Sequence, residues 1–178
     1  MLAGMMVVGA SAANFPDADK IEHTEAVNTL TALNVISGKE DGNFDPEGSL
    51  TRAEMAKLAV FILHGGKDPV LGTKANPSYS DIKGNWAESY IEYCSSTGII
   101  AGMGDGTFGP STTLTGSQAA KMLMVAMGYN AEVFGFTGID WEMNTNIEAN
   151  KIGLYEDLST MDPSQTITRD QAAQLVYN

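Results

Sequence analysis

Apolar positions recur along this chain with the period of a helix that has one buried face. In residues 86–97 they are spaced three and four apart, and the pattern stops at Gly98, where a left-handed helix cap requires glycine. A glycine-rich loop follows, and then a second face of the same period: Ala119, Met122, Leu123 and Ala126. The pattern therefore predicts two short helices joined by a loop.

The start of the second helix carries one signal that occurs three times. A threonine is followed three residues later by Glu or Gln, in the pairs Thr51/Glu54, Thr115/Gln118 and Thr168/Gln171. In such a capping box the hydroxyl and the Glu or Gln side chain satisfy amide groups that the first helical turn leaves unpaired. Three helices are thus predicted to begin after these threonines.

Internal repetition extends well beyond the caps. At a constant offset of 64, residues 15–17 match 79–81, residues 41–44 match 105–108, and Thr51 matches Thr115. A third, shorter match relates residues 162–163 and 168–172 to 45–46 and 51–55 at an offset of 117. The chain is therefore predicted to contain three copies of one helix-loop-helix unit.

The predicted organisation is copy one at residues 14–66, copy two at 79–127 and a diverged copy three at 128–178. Residues 67–78, rich in Gly, Pro, Asn and Lys, are expected to form a surface linker. Short helix pairs cannot bury their apolar faces alone. We therefore expect the copies to pack as one compact, mostly α domain with a shared helical core.

Composition narrows the functional classes. The 10 basic and 22 acidic residues give a formal charge of -12, which repels phosphate backbones and anionic lipid and argues against nucleic acid and bare membrane as partners. The single cysteine, Cys94, excludes an internal disulfide framework and is predicted to be a buried core residue.

The two ends of the sequence suggest export and a cargo. Residues 1–13 are apolar and small, end in a sequence that a signal peptidase accepts, and are too short to span a bilayer. They are expected to be the remnant of a secretion signal, with a short apolar strand or helix as the alternative. Residues 172–178 end inside a predicted helix, so an attached domain beyond Asn178 is expected.

The aromatic-x-Asp start, the glycine-rich loop and the capped second helix together resemble the S-layer homology family. The matching positions are Gly38, residues 41–42, Phe44, Pro46 and residues 51–54 in copy one, Trp86, Gly98, Gly102, residues 105–106, Phe108 and Pro110 in copy two, and residues 168–171 in copy three. The resemblance implies a pseudo-threefold arrangement of three helical units. It also implies attachment of an exported bacterial protein to an anionic, often pyruvylated, cell-wall polysaccharide in grooves between units.

Arg52 and Arg169 are candidate ligand contacts. Each directly follows a cap threonine, where the partial positive charge of a helix start disfavours a cation. Together with free amide groups, an arginine there would form an anion receptor able to grip a carboxylate with two prongs. The alternative is that each arginine lies on the preceding loop and pairs with a nearby acid, namely Asp45, Glu47 or Asp162.

The copies differ at this position. Copy two has Gly116 in place of the arginine, which predicts grooves of unequal character. Trp86 and Trp141 are either core aromatics or platforms on which a sugar ring stacks. Asp17 and Asp81 are expected to cap the first helix or to reach the groove. The predicted ligand-binding set is Arg52, Arg169, Trp86, Asp17, Asp81, Gly38 and Gly102.

Metal binding and catalysis are not expected. An EF-hand type of calcium loop beginning at Asp41 would place Pro46 at its glycine position and Arg52 at its bidentate acid. No nucleophile or zinc-protease motif is present, and no cofactor is implied. The predicted function is a non-catalytic anchor that binds cell-wall polysaccharide. The alternatives are a surface-layer protein that self-assembles laterally and, less favoured, the anchor of a carbohydrate-active enzyme.

Overall fold

A computed structural model describes residues 14–178, so the predicted secretion-signal remnant at residues 1–13 lies outside the described residues. The described chain is mostly helical, as predicted. A 3-10 turn at Ala18–Lys20 precedes six helices: α1 (Thr24–Ala32), α2 (Arg52–Leu63), α3 (Glu88–Ser96), α4 (Gly116–Ala126), α5 (Trp141–Lys151) and α6 (Arg169–Tyr177). Each predicted copy contributes two consecutive helices.

All three predicted capping boxes are confirmed. Thr51 accepts a hydrogen bond from the Glu54 amide at 3.3 Å, and the Glu54 carboxylate accepts one from the Thr51 amide at 2.8 Å. The same reciprocal bonds open α4 and α6. Gly98, with φ of 76°, follows α3 in the predicted left-handed conformation. Local sequence signals therefore determine where the second helices begin.

A closed ring of backbone hydrogen bonds joins the three copies just before their second helices. The Leu50 amide donates to Ile167 O at 3.2 Å, Ile167 donates to Leu114 O at 2.9 Å, and Leu114 donates to Leu50 O at 3.0 Å. All three side chains are buried in one apolar cluster that spans the copies. The predicted shared core is present, while the pseudo-threefold relation of the copies remains a prediction.

Helix packing follows the same cyclic order as the ring. Helix α2 packs on α3, α4 on α5, and α6 on α1, so the second helix of each copy contacts the first helix of the next. Cys94 lies in this interior with no exposed surface, and burial raises the pKa of its thiol to about 12. Because of this order, the loops of one copy meet the helix start of another at three junctions.

Residues 67–78 form no helix and are fastened to α3. Lys74 Nζ lies 2.5 Å from the Glu92 carboxylate, which also accepts hydrogen bonds from the Ser78 amide and hydroxyl. Burial by itself raises the pKa of Glu92, but the bonds from Lys74 and Ser78 more than offset it and lower that pKa. None of the helices in residues 14–178 is both long and apolar enough to cross a bilayer.

Candidate ligand-binding grooves

Arg52 reaches from the start of α2 into the loop of copy two. Its Nε donates to Phe108 O at 2.8 Å and its Nη2 donates to Ala101 O at 2.6 Å. The guanidinium carbon lies 4.5 Å from the centre of the Phe108 ring, a cation–π distance. The side chain therefore joins copy one to copy two.

Arg169 makes the same contacts at the next junction, from α6 into the loop of copy one. Nε donates to Phe44 O at 2.9 Å, Nη2 donates to Ser37 O at 3.0 Å, and the Phe44 ring centre is 5.0 Å away. Unlike Arg52, it also forms an ion pair, with Nη1 donating to Glu54 Oε1 at 3.0 Å. Each arginine thus contacts the loop of another copy.

The predicted acid partners Asp45, Glu47 and Asp162 are not the ones that the structure shows. Asp45 pairs with Lys39, and Asp162 accepts hydrogen bonds from the Ser164 amide and hydroxyl. The local alternative is wrong because the arginines extend away from their own copies, toward carbonyl groups of a neighbouring loop.

The first amides of α2 and α6 already donate hydrogen bonds. The free amides that were predicted as one part of the anion receptor are therefore absent. The Arg52 amide donates to Thr112 O at 2.9 Å and the Ala53 amide to Pro110 O at 3.0 Å. At α6 the Arg169 and Asp170 amides likewise donate to Gly48 O and Pro46 O, at 2.8 and 3.1 Å. The loop of the neighbouring copy covers each helix start, so only the guanidinium is left for an anion.

Gly116 occupies the arginine position at the third junction, where a side chain would be crowded by the loop of copy three. A Cβ atom there would lie 3.0 Å from Pro163 Cα and 3.2 Å from Met161 Cε. Met161 stands where the other copies have Phe44 and Phe108. The arginine, in copy two, and its aromatic partner, in copy three, are therefore both replaced at this junction.

A cavity of about 670 Å³, named groove one, opens between copy one and α6. Its charged and aromatic lining residues are Lys39, Glu40, Asp41, Phe44, Glu54, Lys57, Trp86 and Arg169. Trp86 lies at the edge of groove one and is 59% exposed, so the prediction that it is a core residue is wrong. The reason is that α3 begins only at Glu88, which leaves Trp86 outside the helix and its buried face.

Equivalent positions of copy two define groove two: Ala101, Gly102, Asp105, Phe108, Gln118 and Lys121, together with Arg52 and Trp141. Helices α3 and α5 align at an offset of 55, which gives Trp141 the place of Trp86. Trp141 is half-buried, and Lys121 Nζ lies 5.2 Å from the centre of its ring. The positions that define groove two therefore include one aromatic ring and two cations, Lys121 over that ring and Arg52, which is 9% exposed.

The two grooves differ in charge. Three cationic and three anionic side chains line groove one, and its Arg169 is already paired with Glu54. The equivalent positions of groove two hold two cations and one acid, Asp105, because Gln118 replaces Glu54. Within residues 14–178 neither Arg52 nor Lys121 forms a salt bridge. Burial lowers the pKa of both groups, and for Arg52 the nearby Tyr79 and Asp81 offset only part of this effect.

Gly38 and Gly102 shape the loops through close packing. A Cβ atom on Gly38 would lie 2.8 Å from the Phe15 ring, and one on Gly102 would lie 2.3 Å from the Tyr79 ring. The missing side chain lets the aromatic residue at the start of each copy pack beneath the loop. Ligand contact by these two glycines remains a prediction.

Asp17 and Asp81 fasten the loops and do not cap the first helices. Asp17 accepts hydrogen bonds from the Phe44 and Asp45 amides, and Asp81 from the Phe108 and Gly109 amides, all at 2.8 Å. Burial by itself raises the pKa of each carboxyl, but the amide bonds outweigh it and lower that pKa. The capping interpretation is wrong, since no side chain caps α1 or α3.

Among residues 14–178 no group of three His, Cys, Asp or Glu side chains is placed to hold a metal ion. The grooves therefore offer hydrogen-bond donors, cations and aromatic faces as their binding chemistry, which suits a polar, anionic ligand with apolar ring faces.

Two segments of this chain are similar to a described protein family. Residues 14–56 and 78–120 match the family model of the S-layer homology domain. An S-layer protein of Bacillus thuringiensis subsp. finitimus is 28% identical over 190 residues, which cover 99% of this chain and 22% of that protein. Copy three falls outside both matched segments, so its membership stays a prediction.

Two further relatives carry other descriptions. A cellulosome-anchoring protein of Acetivibrio thermocellus is 31% identical over 117 residues, 64% of this chain and 26% of that protein. A cell wall amidase of Bacillus anthracis, described as uncharacterized, is 29% identical over 160 residues, 85% of this chain and 29% of that protein. The chain thus spans less than a third of the length of each of these relatives.

Proposed function

We propose that the chain is a non-catalytic anchoring module that binds an anionic cell-wall polysaccharide of a bacterium, because residues 14–56 and 78–120 match the family model of the S-layer homology domain. The family match and the S-layer and cell-wall relatives indicate a secreted protein of the cell surface or cell wall. The observation that carries the polysaccharide proposal is the unpaired Arg52 guanidinium in groove two.

Groove two is the proposed anion site. Arg52 Nε and Nη2 are held by carbonyl oxygens, which fixes the plane of the guanidinium, while Nη1 has no acceptor among residues 14–178. An acidic sugar substituent could accept a charge-assisted hydrogen bond there, with Lys121 adding a second cation. The overall charge of -12 is screened beyond about 8 Å at physiological ionic strength, so these local groups decide the binding.

Groove one is the proposed contact for uncharged parts of the polymer. Its volume of about 670 Å³ lies within the range of roughly 300–1,000 Å³ that small-ligand sites occupy. Trp86 presents an exposed aromatic face on which the apolar side of a sugar ring can stack. The Arg169–Glu54 pair leaves this groove with little net charge, so we assign it a supporting role.

Lateral self-assembly is the second candidate, because one helix exposes an apolar stripe. Ile139, two residues before α5, and Met143 and Ile147 within it are spaced four residues apart and have exposed fractions of 97, 56 and 58%. Large exposed apolar patches mark interaction surfaces. This stripe lies on residues other than those that line the two grooves, so the two candidate functions can be tested separately.

A pull-down with purified cell-wall sacculi separates the two candidates. We expect the chain to be retained by sacculi that carry their polysaccharide and to be lost from sacculi from which it has been stripped. Ile147→Ser should leave retention unchanged, since this residue lies outside both grooves. Equal retention by stripped sacculi would overturn the polysaccharide anchor. Sedimentation of the chain in the absence of sacculi, if Ile147→Ser abolishes it, would support self-assembly instead.

A further inference from the structure

A second cavity adjoins groove one. It has a volume of about 260 Å³ and is named the side cavity. Its lining residues include Ser49 and Thr51 from copy one, and Asn85 and Ser111 from copy two. The side cavity therefore lies across the junction between copies one and two, beside the start of α2.

The side cavity and groove one share part of their walls. Lys39, Glu54 and Trp86 line both of them. Trp86 is 59% exposed, and its indole N–H has no acceptor among residues 14–178. Because both cavities are open to solvent and meet at this exposed ring, an extended ligand that fills groove one can continue into the side cavity.

The charged groups that the side cavity shares with groove one are already paired. Lys39 forms an ion pair with Asp45. One carboxylate oxygen of Glu54 accepts from Arg169, and the other accepts from the amide and the hydroxyl of Thr51. Within residues 14–178 no further charged side chain lines the side cavity. Unlike groove two, it therefore offers no unpaired cation to an anionic ligand.

The uncharged polar groups of the side cavity are free to bind. The Ser49 and Ser111 hydroxyls have no hydrogen-bond partner in the described part of the chain. Asn85 accepts from the Ala87 amide through Oδ1 at 2.9 Å, which leaves its Nδ2 hydrogens available. A serine hydroxyl both donates and accepts, and an amide nitrogen donates, so together they match the hydroxyl groups of a sugar. Trp86 adds an apolar ring face.

We propose that the side cavity binds an uncharged sugar unit next to the one in groove one, with Trp86 between two successive units of the same polymer. This inference rests on the proposed function, in which groove one contacts uncharged parts of the polysaccharide. The volume of about 260 Å³ lies just below the range of roughly 300–1,000 Å³ of small-ligand sites, which suits a single unit. A charged substituent on that unit would find no partner and would weaken binding.

The inference is tested with fragments of purified wall polysaccharide graded by length. Calorimetric titration compares the wild type with the double variant Ser49→Ala/Ser111→Ala, whose Tm should be unchanged because both hydroxyls lack partners among residues 14–178. We expect the wild type to bind fragments that are long enough to cross Trp86 more tightly than shorter ones. The double variant should bind short fragments normally and long fragments roughly fivefold or more weakly, the effect of losing two neutral hydrogen bonds.

Two controls define the site and its chemistry. Ser159→Ala removes an exposed hydroxyl of copy three outside both cavities, so its affinities should equal those of the wild type. The loss in the double variant should be the same at low and high salt, because screening acts on charges and these groups are neutral. A loss that disappears at high salt would contradict an uncharged contact.

The outcomes separate this inference from the proposed function. Wild-type affinity of the double variant for long fragments, or an equal loss for short and long fragments, would overturn the inference and leave the anchoring function intact. A wild-type chain that binds no fragment of any length would overturn the proposed function, and the inference with it.

Discussion

Replacing Gly102 with alanine should lower the free energy of unfolding by about 3 kcal/mol, the upper end of the usual cost of overpacking. The new Cβ would lie 2.3 Å from the Tyr79 ring and 2.8 Å from Thr107 O. The ring can tilt only by disturbing its packing on Phe108, whose centre is 5.6 Å away. The backbone oxygen cannot move aside without distorting the loop, so both obstacles add to the cost.

Two other glycines provide graded controls for this prediction. Gly38→Ala should cost less, because its closest contact is the edge of the Phe15 ring at 2.8 Å and the backbone oxygen of Asn43 is 3.1 Å away. Gly72→Ala should be nearly neutral, since nothing lies within 4 Å of its Cβ position. Chemical denaturation measures all three, and a Gly102→Ala protein as stable as Gly72→Ala would contradict the packing account.

Arg52→Gln should weaken binding of an anionic wall polysaccharide roughly tenfold or more, the effect of losing one charge-assisted hydrogen bond. Arg169→Gln should weaken it much less, because Glu54 already neutralises that guanidinium. Both variants lose the same pair of bonds to loop carbonyls, and Arg169→Gln loses the ion pair with Glu54 as well, so a larger affinity loss in Arg52→Gln would not come from greater structural damage.

Calorimetric titration with a purified polysaccharide fragment measures both affinities, and thermal unfolding of each variant checks that both are folded. Equal affinity losses in two folded variants would contradict the assignment of the anion to groove two. Unchanged affinity in both would remove the arginines from the ligand site altogether.

Features that depend on neighbouring residues in the sequence could be predicted, and features that depend on the meeting of copies could not. The capping boxes at Thr51, Thr115 and Thr168 involve residues three apart, so the sequence alone places them correctly. The ion pair between Arg169 and Glu54 joins residues 115 apart, and no local pattern indicates it. The sequence thus indicated where the arginines stand and gave no sign of which of them is paired.

For two further site residues the capping and helix patterns indicate only part of their role. Glu54 was interpreted as a capping residue only, although its second oxygen reaches Arg169 in another copy. Lys121 was not among the predicted site residues, yet it repeats Lys57 at the offset of 64 and lies over the Trp141 ring. This repeat is the signal that the sequence offers, since lysines at equivalent helix positions of two copies face equivalent grooves.

The divergence of copy three has a local physical cause that the alignment of copies could have shown. Phe44 and Phe108 each lie under an arginine, whereas Met161 stands at the same position next to Gly116. The thioether side chain occupies the space where an arginine would lie. At the position of the arginine the third junction therefore holds the Met161 side chain and no guanidinium, so the candidate anion sites are those of the other two junctions.

The most direct measurement of the central claim exchanges the groups that distinguish the grooves. Gln118→Glu would give Arg52 the carboxylate that Glu54 gives Arg169, and Glu54→Gln would free Arg169. Both changes keep a residue that completes a capping box elsewhere in this chain, so the helices should be preserved. Titration with the anionic polysaccharide fragment is expected to show weaker binding by Gln118→Glu, and equal or tighter binding by Glu54→Gln. Undiminished affinity in folded Gln118→Glu would contradict the claim that the unpaired Arg52 holds the ligand.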